Sequence, residues 1–248
     1  MRLKDRIAIV TGGASGFGAG IVRKFHDEGA QVVIADVNYD AALNYTKEFD
    51  TNTTAIKVDV ASSKSVQKMT EQVIDRFDHI DILVNNAGIT HLPTPMEDVS
   101  EEDFDRVFNV NMKSVYLTAK YVVPHMKQRT SGAILNVAST AGVSPRPNLN
   151  WYNCSKGWMI TATKTMAIEL AVQGIRVNAI NPVAGETPLL KSFMGQDTPE
   201  IREKFISTIP IGRFSTPEDM GNAACFLCSD EASMITGVAM EVDGGRCI

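Results

Sequence analysis

Tyr152 and Lys156, four residues apart in Tyr152-Asn153-Cys154-Ser155-Lys156, are the side chains in this sequence best suited to moving a proton. On a helix, residues four apart share a face, so an ammonium would lie beside a phenol. A free tyrosine titrates near ~10 and is a poor base at neutral pH. A neighbouring cation favours the phenolate and makes the phenol a usable acid or base. The spacing alone equally describes two solvent-facing helix residues, so the rest of the chain has to decide. Ser139, thirteen residues before Tyr152, ends the apolar run Ala133-Ile134-Leu135-Asn136-Val137-Ala138, where its hydroxyl can reach a substrate oxygen. None of the four histidines has a metal partner at ligand spacing, and no metal is expected.

A glycine-rich turn, Thr11-Gly12-Gly13-Ala14-Ser15-Gly16-Phe17-Gly18, follows the first apolar strand and opens the first amphipathic helix. Glycine at 12, 16 and 18 lets the backbone bend sharply and approach a pyrophosphate, which the positive helix N-terminus stabilises. Gly12, Ser15, Gly16, Phe17 and Gly18 are therefore cofactor-binding candidates. Asp36 ends the second strand, 18 residues after Gly18, followed by Val37 and Asn38. A carboxylate there accepts hydrogen bonds from both adenosine ribose hydroxyls and repels a 2′-phosphate. No Arg or Lys follows it, and Ser15 occupies the turn position where a base could also meet that phosphate. NAD is expected, NADP less so. The other reading of Asp36 is a cap on the helix that starts near Tyr39. Asp59-Val60 ends the third strand, an option for meeting the adenine amino group, and Asn85-Asn86-Ala87-Gly88 ends the fourth with small residues and amides; as bare sequence both are turn-like endings.

These groups need a scaffold, and the chain alternates apolar β-rich runs with helical patterns throughout. Strands are expected at Ile7–Thr11, Gln31–Asp36, Thr54–Asp59, Ile82–Asn85, Ala133–Ser139, Arg176–Asn181 and Val238–Val242. Their continuous hydrophobicity suits parallel strands buried on both faces. Helices are expected near Gly16–Glu28, Tyr39–Phe49, Ser63–Phe77, Glu101–Arg129, Trp151–Gln173, Thr187–Ser207 and Thr216–Cys228. This βαβ alternation calls for an α/β doubly wound sheet. Without repeats or linkers, residues 1–248 read as one domain, with a cofactor half near 1–90 and a catalytic and substrate half near 91–248. Proline- and glycine-containing loops near 91–99, 144–148 and 182–188 follow strands and should wall a substrate pocket.

A hydrophobic content of 44%, a charged content of 21% and a net charge of -5 describe a soluble protein with no basic footprint for nucleic acid or anionic membrane. No apolar signal region or membrane-length segment is visible, so a cytoplasmic location is expected. Cys225 and Cys228 form a CxxC inside an apolar helical run and read as small buried hydrophobes; four cysteines make no disulfide framework.

Taken in order, Thr11–Gly18, Asp36, Asp59-Val60, Asn85–Gly88, Asn111, Ser139, Tyr152/Lys156, Asn181-Pro182 with Thr187, and Val242-Asp243-Gly244-Gly245 resemble the short-chain dehydrogenase/reductase family over essentially the whole chain. The resemblance implies a single Rossmann-type domain with a seven-stranded parallel sheet in the order 3-2-1-4-5-6-7. It implies a catalytic tetrad of Asn111, Ser139, Tyr152 and Lys156, in which the main chain at Asn111 holds a water of a proton path. Asn111 lies mid-helix, where Asn is a mediocre helix former, which is consistent with a local kink or with a tolerated polar residue. Tyr152 and Lys156 also contact the cofactor, as do Asn86, Ala87, Gly88, Pro182, Val183, Ala184 and Thr187. The family most often has Pro-Gly after the sixth strand; here Val183, Ala184, Gly185 and Glu186 follow Pro182, and Glu186 reads as solvated loop.

The implied reaction is NAD-dependent oxidation of a secondary alcohol of sugar, polyol or hydroxy-acid type, or its reversal. Tyr152 as phenolate takes the hydroxyl proton while hydride leaves the carbinol carbon. The alternatives are a 3-oxoacyl-[acyl-carrier-protein] reductase, which Asp36 opposes because those enzymes usually take NADPH, and a non-catalytic NAD-binding scaffold or sensor. Arg146 reads as an exposed structural arginine, with a substrate carboxylate or phosphate as its other option, while His91 and Met96 read as loop positions. The family resemblance implies a homotetramer built on the helices near Glu101–Arg129 and Trp151–Gln173.

Overall fold

The computed structural model describes residues 1–248. Seven strands, β1 (Ile7–Thr11), β2 (Gln31–Asp36), β3 (Thr53–Lys57), β4 (Ile82–Asn85), β5 (Gly132–Val137), β6 (Ile175–Pro182) and β7 (Ala239–Val242), form one sheet ordered β3-β2-β1-β4-β5-β6-β7. Every pairing is parallel, as the continuous apolar runs required. Alternate residues feed two cores. Ala8, Val10, Val32 and Ile34 pack with Ile21, Val22 and Phe25 of α1 (Gly16–Asp27) and with Met220, Ala224 and Cys225 of α9 (Pro217–Cys228). Ile7, Ile9, Val33 and Ala35 face the other way, onto α3 (Ser63–Phe77), α5 (Ser114–Arg129) and α6 (Asn150–Ala171). Cys225 and Cys228 are buried free thiols in the first core.

Local chemistry sets most element ends. Ser62 caps α3 by accepting from Ser65 N, and α9 starts with Pro217 and a reciprocal Thr216/Asp219 capping box. Asn38 caps α2 (Tyr39–Thr46) by accepting from Ala41 N. Strand β3 stops at Lys57, opposite Asp36, because its one neighbour ends there. Asp59 and Val60 thus lie in the loop beyond the strand, and Ser139 lies beyond β5.

Two expected helices are broken. Glu101–Arg129 divides into α4 (Glu101–Phe108), a single π-helical turn Asn109–Lys113, and α5. The π turn falls on Asn111 and so favours the kink over the tolerated polar residue there. Thr187–Ser207 divides into α7 (Leu190–Met194) and α8 (Pro199–Ile206), because Gly195 takes φ +75 and Pro199 can only begin a helix.

Strand order reverses between β1 and β4, and the loops leaving those strands are laced together. Thr11 Oγ1 donates to Val84 O at 3.2 Å and accepts from Asn86 N at 3.0 Å and Ala87 N at 3.1 Å. Asn86 Nδ2 donates to Thr11 O at 2.8 Å and Gly12 O at 3.0 Å. The crevice at the carboxyl ends of the strands, where doubly wound sheets bind ligands, is thereby held open and rigid.

Candidate active site

A 680 Å³ cavity occupies that crevice. Its floor at one end is the glycine turn, with Gly12 at φ +62 and Gly16 at φ +53. A β-carbon on Gly18 would run into Gly12 O and Asn86 Nδ2, so that approach requires glycine. The first turn of α1 carries no acidic residue, and Ser15 supplies no side-chain cap, which leaves its backbone N–H groups facing the cavity for an anion. These features fit a dinucleotide pyrophosphate. Asp36 lines the same end; its Oδ2 accepts from Ala14 N at 3.1 Å and its Oδ1 from Asn38 N at 2.9 Å. It is held as an acceptor at the cavity edge, and the cap of α2 is Asn38, not Asp36.

Asn86, Ala87, Gly88, Pro182, Val183, Ala184 and Thr187 also line the cavity, whereas Val37, Asp59 and Val60 lie outside its walls. Val37 and Asp59 are exposed and Val60 is buried. Asp59 Oδ1 accepts from Ala61 N, which orders the entry to α3.

At the other end, β5 delivers Ser139 and α6 delivers Tyr152 and Lys156 to one wall. Ser139 Oγ accepts from Ala141 N at 3.0 Å and starts a 3₁₀ turn, Thr140–Gly142, that packs on α6. Lys156 Nζ donates to Val137 O at 2.8 Å and stands 5.9 Å from the Tyr152 ring centre. Both side chains are buried, and burial opposes both charged forms. It pushes the Tyr152 phenol up to about 12, against the Ser139 hydroxyl and the Arg146 charge, which pull it down. Burial likewise pulls Lys156 down to about 8. The expected Lys-to-Tyr lowering is therefore not the leading influence: desolvation is, opposed first by the Ser139 hydroxyl and then by the Arg146 charge.

Asn111 is fully buried behind the wall and outside the cavity. Its Oδ1 accepts from Ile89 N at 2.9 Å, and its Nδ2 donates to Ile89 O at 2.9 Å and Ser155 Oγ at 3.0 Å. It joins the loop after β4 to the helix that carries Tyr152.

Several residues without a motif signal complete the pocket. Phe193 of α7 packs edge-on against the Tyr152 ring, with centroids 5.1 Å apart. Leu189, Met194, Phe205 and Arg246 line the cavity too. Arg146 corrects its first reading: it is half-buried, lines the cavity and stacks on Phe205 at 4.7 Å. Glu186 is exposed and paired with Arg202 at 3.2 Å, outside the cavity. His91 is buried and Met96 exposed, and neither reaches the cavity.

A family model described as enoyl-(acyl carrier protein) reductase matches residues 12–246. A 4-formylbenzenesulfonate dehydrogenase of Comamonas testosteroni is 46% identical over 252 aligned residues, which cover 100% of both chains. The chain belongs to the short-chain dehydrogenase/reductase family. As a member of that family it is an oxidoreductase. A 3-oxoacyl-[acyl-carrier-protein] reductase of Thermotoga maritima is 38% identical over 252 residues, again covering 100% of both chains. The crystal structure of a 3-ketoacyl-(acyl-carrier-protein) reductase from Brucella melitensis complexed with NADH matches this short-chain dehydrogenase/reductase with a TM-score of 0.95 at 47% identity. It covers 99% of this chain and 100% of that one. No helix of this family member is long and apolar enough to cross a membrane.

Proposed function

We propose that this protein is an NAD(H)-dependent oxidoreductase that interconverts a secondary alcohol of sugar, polyol or hydroxy-acid type and its ketone. The observation that carries the reading is the meeting of Ser139, Tyr152 and Lys156 on one wall of the cavity whose other end is the glycine turn. Gly12, Ser15, Gly16, Phe17 and Gly18 hold the pyrophosphate and Asp36 the adenosine ribose, while Val37, Asp59 and Val60, outside the cavity walls, are assigned no cofactor contact. Asn86, Ala87, Gly88, Pro182, Val183, Ala184 and Thr187 enclose the remainder. An NAD held there would supply the acceptor for the hydride that leaves the carbinol carbon. Tyr152 Oη takes the hydroxyl proton, and Ser139 Oγ stabilises charge on the same oxygen as it becomes a carbonyl. Lys156, anchored on Val137 O, positions its charge beside that exchange. Asn111 positions the loop after β4 against α6 and opens the π turn through which a water-borne proton path would run.

A second reading, 3-oxoacyl-[acyl-carrier-protein] reduction, is supported by the Thermotoga and Brucella proteins that bear that name. Because the Brucella protein is complexed with NADH, the acid at position 36 does not separate the two readings. A panel of sugars, polyols, hydroxy acids and 3-oxoacyl thioesters, followed by NADH absorbance, does. Turnover of secondary alcohols supports the first reading, and turnover of thioesters alone supports the second. Silence across the panel overturns both in favour of an NAD-binding scaffold. The protein should bind NADH over NADPH by more than ~10-fold, since a 2′-phosphate would face the Asp36 carboxylate. Asp36→Ala should narrow that gap.

We place this activity in the cytoplasm and in a homotetramer. Phe104, Phe108, Tyr116, Trp158 and Ile168 are exposed along α4, α5 and α6, the helices the resemblance assigns to the subunit interfaces.

A further inference from the structure

The hydride chemistry leaves a cluster of cations unused. Arg146, Lys204 and Arg246 all line the cavity, and the one carboxylate that lines it, Asp36, belongs to the cofactor end. Neither the Arg146 nor the Arg246 guanidinium donates a hydrogen bond or joins an ion pair. Other arginines of this molecule are committed. Arg176 donates to three carbonyls, Leu227 O, Ser229 O and Ile235 O, while Arg202 and Arg213 bind Asp197 and Asp219. Burial lowers the hold of Arg146 on its proton, and the charge of Arg246 lowers it further. Both guanidinium groups are half-buried with no protein acceptor, so their donors remain available to an anion entering the cavity. Leu189, Phe193, Met194 and Phe205 give the same cavity an apolar lining, with Phe193 on the Tyr152 ring and Phe205 against the Arg146 guanidinium.

We propose that Arg146 and Arg246 form an anion subsite, so that the preferred substrate is a small alcohol or ketone bearing a carboxylate or sulfonate across an apolar body from its reacting carbon. The inference rests on the alcohol-dehydrogenase reading of the cavity and names its substrate class. Planar guanidinium forks match such oxyanions, and stacking on Phe205 holds the Arg146 fork in place. A carrier-bound thioester is a poorer occupant, because its phosphate would lie a long arm away from the reacting carbonyl. Arg146, by contrast, lines the same cavity as Tyr152.

The test uses matched substrates, 4-hydroxycyclohexanecarboxylate and its methyl ester, with the full-length protein and NAD. Wild type should favour the carboxylate in kcat/KM by roughly 10- to 100-fold, the range expected of one or two charge-assisted hydrogen-bonded contacts. Arg146→Gln and Arg246→Gln should each cut that ratio, and the double variant should bring it near one. Arg129→Gln, an exposed charge at the far end of α5, should keep it. A wild-type ratio near one, or an undiminished ratio in the double variant, overturns the subsite.

A second measurement needs no turnover. Benzoate should bind the NADH-loaded protein at least tenfold tighter than benzamide, and the difference should vanish in the double variant. Equal binding of the two in wild type overturns the subsite. Benzoate preference in a protein that oxidises nothing would keep the subsite and overturn the enzymatic reading. Turnover of neutral alcohols without any anion preference would do the reverse.

Discussion

At the scale of single residues, the balance between burial and charge governs the acid–base pair. Tyr152 sits near 12 and Lys156 near 8, each displaced towards its neutral form by loss of water. Alcohol oxidation under the proposed mechanism needs the phenolate, whose fraction below that pKa grows about tenfold per pH unit. kcat/KM for oxidation should therefore climb steeply up to about pH 8. It should keep climbing above that, because burial holds the phenol neutral up to about 12. Ketone reduction needs the neutral phenol, abundant throughout, and should stay nearly flat over the same range. Tyr152→Phe should abolish both directions while NADH still binds. An oxidation profile flat from pH 6 to 8, or a Tyr152→Phe variant with wild-type turnover, would remove Tyr152 from the role of base.

At the scale of elements, two contacts place the pair against Ser139. The π turn Asn109–Lys113 lets Asn111 reach both Ile89 and Ser155, which fixes α6 relative to the loop after β4. The other contact is the close approach of Gly142 to Gly157. A β-carbon on Gly142 would lie 2.8 Å from Gly157 N, whereas one on Gly157 would meet nothing nearer than 3.7 Å. Gly142→Ala should push the Ser139–Gly142 turn off α6 and lower both melting temperature and kcat. Gly157→Ala relieves a helix-interior glycine without a clash and should stabilise by about 0.5–1 kcal/mol. Thermal denaturation beside steady-state kinetics separates the two; equal effects would mean that the spacing between the turn and α6 does not matter.

At the scale of the whole molecule, the sheet order brings the glycine turn, Ser139 and the α6 pair to one crevice although they are spread from residue 12 to residue 156. The apolar residues left exposed on α4, α5 and α6 extend this logic beyond one chain. Light scattering in dilute solution should give the mass of four chains, and Ile168→Glu should lower it. A monomer at micromolar concentration would overturn the tetramer.

How much of this was legible depended on the range of the interaction involved. The strand order came from the family resemblance, whereas strand positions, the parallel sheet, the glycine turn and the Tyr152/Lys156 pairing could be read from apolar runs, turn residues and spacing. Each of these is a local signal: buried strands need continuous hydrophobicity, a phosphate cradle needs glycine, and a helix puts residues four apart together. Helix ends were less legible where one residue overrode a periodic pattern, as Gly195 and Pro199 did between α7 and α8. The sequence by itself determined the kind of chemistry, because that rests on residue types at short, fixed spacings. Only the tertiary structure decided what surrounds the chemistry. It set burial above the lysine in governing Tyr152, seated Phe193 on its ring, and brought Arg146 and the unforeseen Arg246 to the lining of one cavity. Burial and charge proximity are sums over residues far apart in the chain, and no local spacing encodes them.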